Sequence, residues 1–521
     1  MKTTINGQPL EFEPRHDETA IEVLRKRAGL TGTKMACGGG ICGACTIRVN
    51  DVPKCSCVMP ATQMDGADIR TIEEHGLDNL HPIQRAFMAN EGLQCGFCTP
   101  GFINEGIAFY NRWRAENGLS TPSKHDIALA MGGHLCRCGA YVGIYDAIQK
   151  ACAGEYDAII NSPIHRMDAP EKVTGTAKYT VDMVFEGQLE GKILRSAYPH
   201  AIVQSIDKSA AEAMEGVSAV VDLMKVGEKV RWVGQPIAGV AAINEQTAFN
   251  ALELIKVDYK ILPAAVGTEA AAKEDAPTIW EKDNRDKIPS AAEEIDFPYQ
   301  WENNVGHVPA GLFISPLRGR AKRAINKVRE EAPHTLAEQV YINHQQVHTA
   351  LEPHAAIANW DGQSLHVVAS SQSVYALRKE IAHHFEIDIK KVTIEGKYIG
   401  GAFGAKGGLY REIIAAVTMT LAAKAPVRVA NSRLEELAYA GTRTGSRAEI
   451  ALTVKKDGSP NAMRFHSFGD AGVAAGAAPA ATYWLMSPKG LKEIFRIISL
   501  LIIFLQRYRF VLLMPPLNVG L

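Results

Sequence analysis

The distribution of cysteine is the feature that most constrains what this chain can form. All ten cysteines lie between Cys37 and Cys152, and residues 153–521 contain none. The N-terminus, MKTTINGQPL, lacks the apolar core of a secretory signal, so we expect a cytoplasmic protein whose thiols stay reduced. A group of ten reduced thiols is more consistent with metal ligation than with disulfide bonds. The sequence therefore predicts that metal chemistry is confined to the first 152 residues.

Length and charge narrow the class of protein further. At 521 residues the chain is too long for one hydrophobic core, and we expect several domains. The formal net charge is -1, which indicates neither a nucleic-acid-binding surface nor a charged tail. The longest uncharged apolar run, 497–505, is far shorter than the roughly 20 residues that span a bilayer. We expect no transmembrane helix and no nucleic-acid partner.

The first cysteine group has the spacing of a plant-type 2Fe-2S site. Cys37, Cys42 and Cys45 form a C-x4-C-x2-C pattern, and either Cys55 or Cys57 can supply the fourth ligand. Structural zinc sites favour paired C-x2-C units, which this pattern does not contain. Glycines let the backbone adopt positive φ and direct its amides at a cluster. The glycines in this loop are Gly38, Gly39, Gly40 and Gly43.

Around these ligands the sequence predicts a small β-rich fold with one helix. A hairpin pattern covers Thr3–Ile5 and Leu10–Phe12, and a further strand covers Thr46–Val49. Asp17 is the expected N-cap of a helix from Glu18 to Arg27.

The second cysteine group lies in a region with a helical pattern. Four helices are expected, at 82–90, 100–116, 123–131 and 140–151. The Cys95/Cys98 pair precedes the second helix, and the Cys136/Cys138 pair precedes the fourth. Free amides at helix N-termini stabilise thiolates, so both pairs are candidate cluster ligands.

Together these patterns resemble the molybdenum hydroxylases of the xanthine oxidase and aldehyde oxidoreductase family. The resemblance is carried by QCGFCTPG and CRCGAY in the helical region, after the plant-type motif. It continues to about residue 475. The further markers are RMDAPEKVTGTAKYTVD (166–182), SAYPHA (196–201), VGQPIAGVAA (233–242), HxxxEP (348–353), SSQS (370–373) and GGAFGAKGG (400–408).

The resemblance implies two 2Fe-2S clusters and a molybdenum-pterin cofactor, as molybdopterin or its cytosine dinucleotide form. In the family eleven residues separate the third and fourth ligands of the first cluster, which selects Cys57 and leaves Cys55 as a bystander. The implied iron ligands are Cys37, Cys42, Cys45, Cys57, Cys95, Cys98, Cys136 and Cys138. The implied pterin and metal contacts are Gln94, Cys138, Gln372, Gly401, Ala402, Phe403 and Gly404.

The implied fold class is multidomain α+β. It comprises a β-grasp 2Fe-2S ferredoxin domain, a four-helix-bundle 2Fe-2S domain and mixed α/β molybdopterin-binding domains that are incomplete. The expected ranges are 1–77 and 78–152 for the cluster domains, 153–165 for a linker, 166–271 for an α/β hammerhead-like domain, 272–336 for an exposed connector, 337–480 for the first part of the molybdopterin-binding domain and 481–521 for an atypical apolar tail.

The implied activity is oxidation of an aldehyde, or a related small carbonyl or heterocycle, with water as the oxygen source. Purine-oxidising members place a glutamate after the lysine of the glycine-rich loop, and Gly407 occupies that position, which favours an aldehyde. Only about ten residues stand where larger members carry a flavin domain, so we expect no FAD. Electrons then pass to an external acceptor such as ferredoxin, flavodoxin or a separate flavoprotein. A homodimer is compatible with the resemblance.

The C-terminal sequence departs from the family pattern. No residue matches the late glutamate that serves the family as general base, so no catalytic residue is assigned. We expect a truncation or a shifted reading frame after about Ala480, and a chain that is catalytically incomplete. The alternative is an iron-sulfur electron-transfer protein or subunit without its own molybdenum chemistry.

Overall fold

The computed structural model describes residues 1–158, 166–280, 300–307, 315–470, 472 and 482–486. The chain divides into two compact units, of which the first combines Met1–Ile261 with Val347–Gly441, and the second combines Leu262–Gln346 with Thr442–Leu521. Every residue that the sequence assigns to iron or pterin lies in the first unit. No helix in these described ranges is long and apolar enough to cross a membrane.

The first domain is a five-stranded sheet with a short helix against it, as expected. The strand order is β2-β1-β5-β3-β4, with β1 parallel to β5 and the other pairs antiparallel. Its elements are β1 (Lys2–Ile5), β2 (Gln8–Glu11), α1 (Ala20–Glu22), β3 (Thr46–Val49), β4 (Val52–Cys55) and β5 (Asp68–Arg70).

The start of the first helix differs from the sequence expectation. Helix α1 begins at Ala20, and its N-cap is Thr19, whose backbone N–H donates to the Glu22 carboxylate at 3.1 Å. Asp17 instead lies outside the helix with φ 57°. Glu18 is held outside as well, because its buried carboxylate accepts hydrogen bonds from Arg27. The helix continues as a π-helical turn over Val23–Arg27.

Four helices form the second domain, as the sequence predicts. Ser123 caps the third of them by accepting from the Asp126 N–H, and Pro82 and Pro100 occupy first turns. Apolar residues of all four helices share one buried core. The helices are α2 (Pro82–Ala89), α3 (Thr99–Asn117), α4 (Lys124–Ala130) and α5 (Tyr141–Cys152).

The expected linker is partly bound to this bundle. Asp157 pairs with Arg114 at 2.8 Å, and the Tyr156 carbonyl accepts from Arg85 at 2.9 Å. Residues 159–165 of the predicted linker lie outside the described residues.

Mixed α and β structure follows. The elements up to residue 280 are α6 (Ala169–Val173), β6 (Leu189–Arg195), β7 (Ala201–Asp207), α7 (Ser209–Glu212), β8 (Val217–Asp222), β9 (Lys229–Val230), β10 (Pro236–Ala242), α8 (Glu245–Leu254), β11 (Lys256–Ile261) and α9 (Thr268–Ala271). The later elements are β12 (Gln300–Glu302), β13 (Val305–His307), α10 (Ser315–Glu331), β14 (Leu336–Asn343), β15 (Gln346–Val347), β16 (Ala355–Trp360), β17 (Leu365–Ala369), α11 (Val374–His384), β18 (Val392–Glu395), α12 (Arg411–Ala423), β19 (Val427–Ala430), α13 (Arg433–Ala438), β20 (Thr442–Arg443), β21 (Ser446–Val454), β22 (Pro460–Gly469) and β23 (Thr482–Met486).

One sheet crosses the boundary between the two mixed domains expected from the sequence. Its order is β18-β17-β16-β19-β6-β10-β8, and β19 joins β6 in parallel, with Val427 opposite Leu189. Helix α12 packs on this sheet and buries Ile413, Val417 and Met419. Residues 189–241 of the first expected domain and residues 356–429 of the second therefore share a core in the first unit. A separate sheet has the order β11-β7-β9.

The second unit contains an antiparallel sheet of order β14-β21-β22-β23. Helix α10 packs on it through Ala321 and Ile325, which are at most 1% exposed. The range 272–336 was expected to be an exposed connector, but it includes this packed helix. The many charged residues of α10 gave the range the composition of a connector. Residues 482–486 of the expected tail form β23 beside β22, and residues 487–521 lie outside the described residues.

Candidate functional site

Three of the first four predicted iron ligands, Cys37, Cys42 and Cys45, lie on the loop before β3, and Cys57 follows β4. Their thiols form a chain of neighbours in the order Cys42, Cys37, Cys57, Cys45. A hydrogen bond from the Cys45 thiol lowers the pKa of Cys57 to about 6, and burial raises the pKa of Cys42 to about 11. Neighbouring sulfurs of this set therefore lie within hydrogen-bonding distance of one another, and a bound cluster would take the place of their protons.

Backbone amides of the glycine-rich loop are directed at these sulfurs. The N–H groups of Gly39 and Ile41 donate to the Cys37 sulfur at 3.4 Å each, and the N–H of Gly40 donates to Cys57 at 3.3 Å. Gly40 achieves this at φ 71°. Amide donors of this kind stabilise negatively charged sulfur, which is the role expected of the glycines.

The choice between Cys55 and Cys57 now has a geometric basis. The Cys57 thiol touches both Cys45 and Cys37, so it closes the chain of sulfurs. The Cys55 thiol contacts Cys45, and it donates weakly to the Gly40 carbonyl at 3.8 Å. This arrangement supports Cys57 as the fourth ligand.

The second four predicted ligands meet at the ends of two bundle helices. Their thiols are neighbours in the order Cys98, Cys136, Cys138, Cys95. Hydrogen bonds from the thiols of Cys138 and Cys98 lower the pKa of Cys136, and the Ala140 N–H also donates to this sulfur at 3.4 Å. Cys152 lies apart in the apolar core, where burial raises its pKa to about 12.

The two thiol sets are joined by a direct backbone hydrogen bond. The Leu135 N–H, next to Cys136, donates to the Cys42 carbonyl at 3.0 Å. Gly101 permits this approach, because a Cβ atom there would lie 2.0 Å from the Gly43 carbonyl oxygen. Few bonds therefore separate a sulfur of one set from a sulfur of the other.

The predicted pterin loop lies against the second thiol set. A Cβ atom at Gly400 would meet the Phe97 ring at 2.6 Å, and Phe97 lies between Cys95 and Cys98. Gly401 and Gly404 have φ near 97°, a backbone conformation that residues with a side chain rarely adopt, and Gly401 is buried whereas Gly404 is exposed. The Gln372 side-chain oxygen accepts from the Gly404 N–H at 3.1 Å. The structure thus brings Gln372, the loop and the Cys95 turn into one region.

A buried ion pair organises this region, and the sequence analysis did not assign it a role. Lys406 and Glu352 are both fully buried, with Nζ 3.7 Å from the carboxylate. The Glu352 carboxylate accepts from the N–H groups of Gly400 at 2.6 Å and Thr180 at 3.1 Å. Glu352 belongs to the HxxxEP marker, so the motif was visible in the sequence although its partners were not.

The histidines near this motif have partners of other kinds. His354 is buried and its Nδ1 lies 3.0 Å from the Glu436 carboxylate. The His348 carbonyl accepts from the Arg137 guanidinium at 2.8 Å, which ties the Cys136–Cys138 turn to this strand end. Neither contact resembles a zinc site.

The donor sets fit two-iron clusters better than single ions. Among the described residues, no three His, Cys, Asp or Glu side chains are grouped as ligands of one ion. Each thiol set is instead a row of neighbouring pairs with amides aimed at the sulfurs, and a 2Fe-2S cluster takes four thiolates, two on each iron. The exposed residues Gln372, Phe403 and Gly404 likewise offer polar groups and a ring to a pterin.

Four family models match successive parts of the chain. They are described as the 2Fe-2S iron-sulfur cluster binding domain (3–70), the 2Fe-2S binding domain (71–149), the aldehyde oxidase and xanthine dehydrogenase a/b hammerhead domain (174–229) and the molybdopterin cofactor-binding domain (315–490). In addition, 163 residues are 39% identical to the aldehyde oxidoreductase iron-sulfur-binding subunit PaoA of Escherichia coli K12, covering 70% of that subunit and 29% of this chain.

The chain belongs to the molybdenum hydroxylase family of aldehyde oxidoreductases and xanthine dehydrogenases. This molybdenum hydroxylase is also 28% identical over 511 residues to the aldehyde oxidoreductase of Megalodesulfovibrio gigas, covering 88% of this chain and 52% of that protein. Its structure matches the aldehyde oxidoreductase from Desulfovibrio gigas with a TM-score of 0.73 and 26% identity, over 90% of this chain and 53% of the other. The chain thus spans about half the length of these relatives.

Proposed function

We propose that this molybdenum hydroxylase oxidises an aldehyde, or a related small carbonyl or heterocycle, with water as the oxygen source. When bound, the molybdenum-pterin group supplies the two-electron oxidation and the two 2Fe-2S clusters supply one-electron transfer. The observation that carries this proposal is the contact of Gly400 with Phe97, which sets the predicted pterin loop directly against the second thiol set.

The residues of this chain would hold the groups as follows. The first cluster takes Cys37, Cys42, Cys45 and Cys57, and the second takes Cys95, Cys98, Cys136 and Cys138. Gln94 and Cys138 lie on the side of the second set, and Gln372 with Gly401, Ala402, Phe403 and Gly404 provide the opposite wall of the pterin site. Gln94 and Gln372 are both exposed, and the Gln372 side-chain oxygen is held by the Gly404 N–H, so both residues lie where a cofactor can contact them.

The order of the groups defines the order of electron transfer. The pterin loop adjoins the Cys95 turn, and the hydrogen bond from Leu135 to Cys42 links the second set to the first. Gly38, Gly39 and Ile41 are exposed on the first loop, where an external acceptor can approach. The acceptor class is ferredoxin, flavodoxin or a separate flavoprotein, and we place the reaction in the cytoplasm, in a monomer or a homodimer.

Metal analysis of the purified chain tests the proposal. We expect iron and molybdenum together. Molybdenum should be lost in Gln372→Ala, which follows β17, and retained in the control Gln363→Ala, which lies in the exposed turn before β17. In preparations that contain molybdenum, any reduction of an artificial dye acceptor should be faster with benzaldehyde than with xanthine, because Gly407 provides no carboxylate for a purine. The reverse order of rates would contradict the aldehyde assignment.

A second candidate is an iron-sulfur electron-transfer subunit. The relative PaoA is named as an iron-sulfur-binding subunit and matches 29% of this chain. The match of residues 315–490 to the molybdopterin cofactor-binding domain favours the first candidate. Iron without molybdenum in the purified chain would favour the second.

A further inference from the structure

A buried lysine from outside the cluster domains reaches the second thiol set. Lys172 lies in α6, in the RMDAPEKVTGTAKYTVD marker, and its side chain is 5% exposed. Its ammonium donates to the Gln94 carbonyl at 2.9 Å and pairs with Asp168 at 2.5 Å. The residue after Gln94 is the predicted ligand Cys95, so a positive charge lies one peptide away from a cluster sulfur.

The same segment fixes the turn that carries Cys95. The Tyr179 hydroxyl donates to the Cys95 carbonyl at 2.7 Å. A Cβ atom at Gly96 would lie 2.6 Å from both the Lys172 side chain and the Tyr179 hydroxyl, so the turn and the two side chains are packed without space. The position of the ammonium relative to the sulfur is therefore fixed, because neither partner can move away.

The charge is close enough to act on this sulfur, because the ammonium is bonded to the carbonyl of the residue that precedes Cys95. A cation that stabilises a thiolate also stabilises any added negative charge on a cluster bound there. Burial strengthens the Coulomb interaction between the Lys172 ammonium and a cluster bound at Cys95, since the effective dielectric constant inside a protein is far below that of water.

We propose that Lys172 raises the reduction potential of the cluster held by Cys95, Cys98, Cys136 and Cys138. The step concerned is the gain of one electron by the oxidised cluster, with no bond broken and no proton taken up. The ammonium stabilises the reduced cluster, and Asp168 partly offsets it. Lys172 acts through charge and through the Gln94 carbonyl, so it is a positioning residue. This inference rests on the proposed clusters.

The test is a redox titration of the two cluster signals by electron paramagnetic resonance on the full chain. Lys172→Gln keeps a hydrogen-bond donor and removes the charge, and Lys172→Arg keeps both. We expect Lys172→Gln to lower the reduced-to-oxidised ratio of the second cluster about tenfold at fixed potential, about 59 mV for a one-electron couple. Lys172→Arg should titrate like the wild type. The signal of the second cluster is the one that persists in Cys37→Ser.

Two further variants complete the comparison. Asp168→Asn removes the offsetting charge and should shift the same signal to higher potential, a direction that simple loosening of the turn does not predict. Lys150→Met, on α5 and bonded to Asn90, should shift neither signal. An unchanged potential in Lys172→Gln, or a downward shift in Asp168→Asn, would overturn the inference. A wild-type chain with fewer than two signals would instead overturn the cluster assignment on which it rests.

Discussion

At the scale of single residues, the two thiol sets share one design. In each set a thiol with a raised pKa donates to a neighbour whose pKa is lowered, as Cys45 does to Cys57 and Cys138 does to Cys136. Neighbouring sulfurs of each set therefore lie within hydrogen-bonding distance, as four thiolates of one cluster must lie close together.

The clearest residue-level prediction concerns the fourth ligand of the first cluster. Cys57→Ser should abolish one of the two cluster signals, because Cys57 is the thiol that joins Cys45 to Cys37. The matched variant Cys55→Ser lies two residues away and should leave both signals. Paramagnetic resonance of the reduced protein measures the outcome, and loss of a signal in Cys55→Ser alone would reverse the assignment.

A second prediction concerns the buried carboxylate of Asp182. Burial opposes its ionisation, but the charges of Lys34 and Arg25 outweigh burial and lower its pKa. Asp182→Asn leaves the buried Lys34 ammonium without its counter-charge, so we expect a loss of about 3–5 kcal/mol in the free energy of unfolding.

The control for this experiment is Asp157→Asn. Asp157 pairs with Arg114, but its side chain is 40% exposed, and exposed pairs contribute about 0–1 kcal/mol. Chemical denaturation followed by circular dichroism compares the two variants. Equal losses would show that the Lys34–Asp182 pair does not hold the cluster domain to the segment after α6.

At the scale of elements, local signals predicted the bundle well. Ser123, Pro82 and Pro100 mark helix starts, and apolar spacing marks the buried faces, so α2 to α5 were expected within one or two residues of their bounds. Helix α1 was placed too early because Asp17 and Thr19 are both acceptable caps. The choice between them depends on the burial of Glu18 beside Arg27, which is a tertiary contact.

A pH-dependent prediction belongs to helix α3. Burial raises the pKa of Glu105 to about 7, well above its value of about 4.3 in an unfolded chain. Between these values the folded state holds a proton that the unfolded state has lost. Stability should therefore fall as pH rises from about 4.3 to 7, by at most about 1.4 kcal/mol per pH unit.

The variant Glu105→Gln removes this titration. Its thermal midpoint should exceed that of the wild type at pH 8, and the difference should shrink as the pH is lowered toward 5. Glu116→Gln, at the exposed end of the same helix, serves as the control. A difference between Glu105→Gln and the wild type that does not change with pH would contradict the burial argument.

At the scale of the whole molecule, the first unit is held together by contacts that no local pattern shows. Thr180 donates to Glu352, Lys172 donates to Gln94, and β19 pairs with β6. Each joins residues that are far apart in sequence. The cysteine spacing predicted two thiol sets and left Cys55 and Cys57 open, and the family resemblance selected Cys57. The way in which segment 166–182 joins these sets to the pterin loop required the structure.

The central claim is that eight thiols hold two separate 2Fe-2S clusters in this chain. The most direct measurement is the iron and zinc content of the purified protein together with its paramagnetic resonance spectrum after reduction by dithionite. We expect about four irons per chain, no stoichiometric zinc and two distinguishable 2Fe-2S signals, because each cluster takes four thiolates. Two irons with a single signal, or zinc in place of iron, would contradict the account.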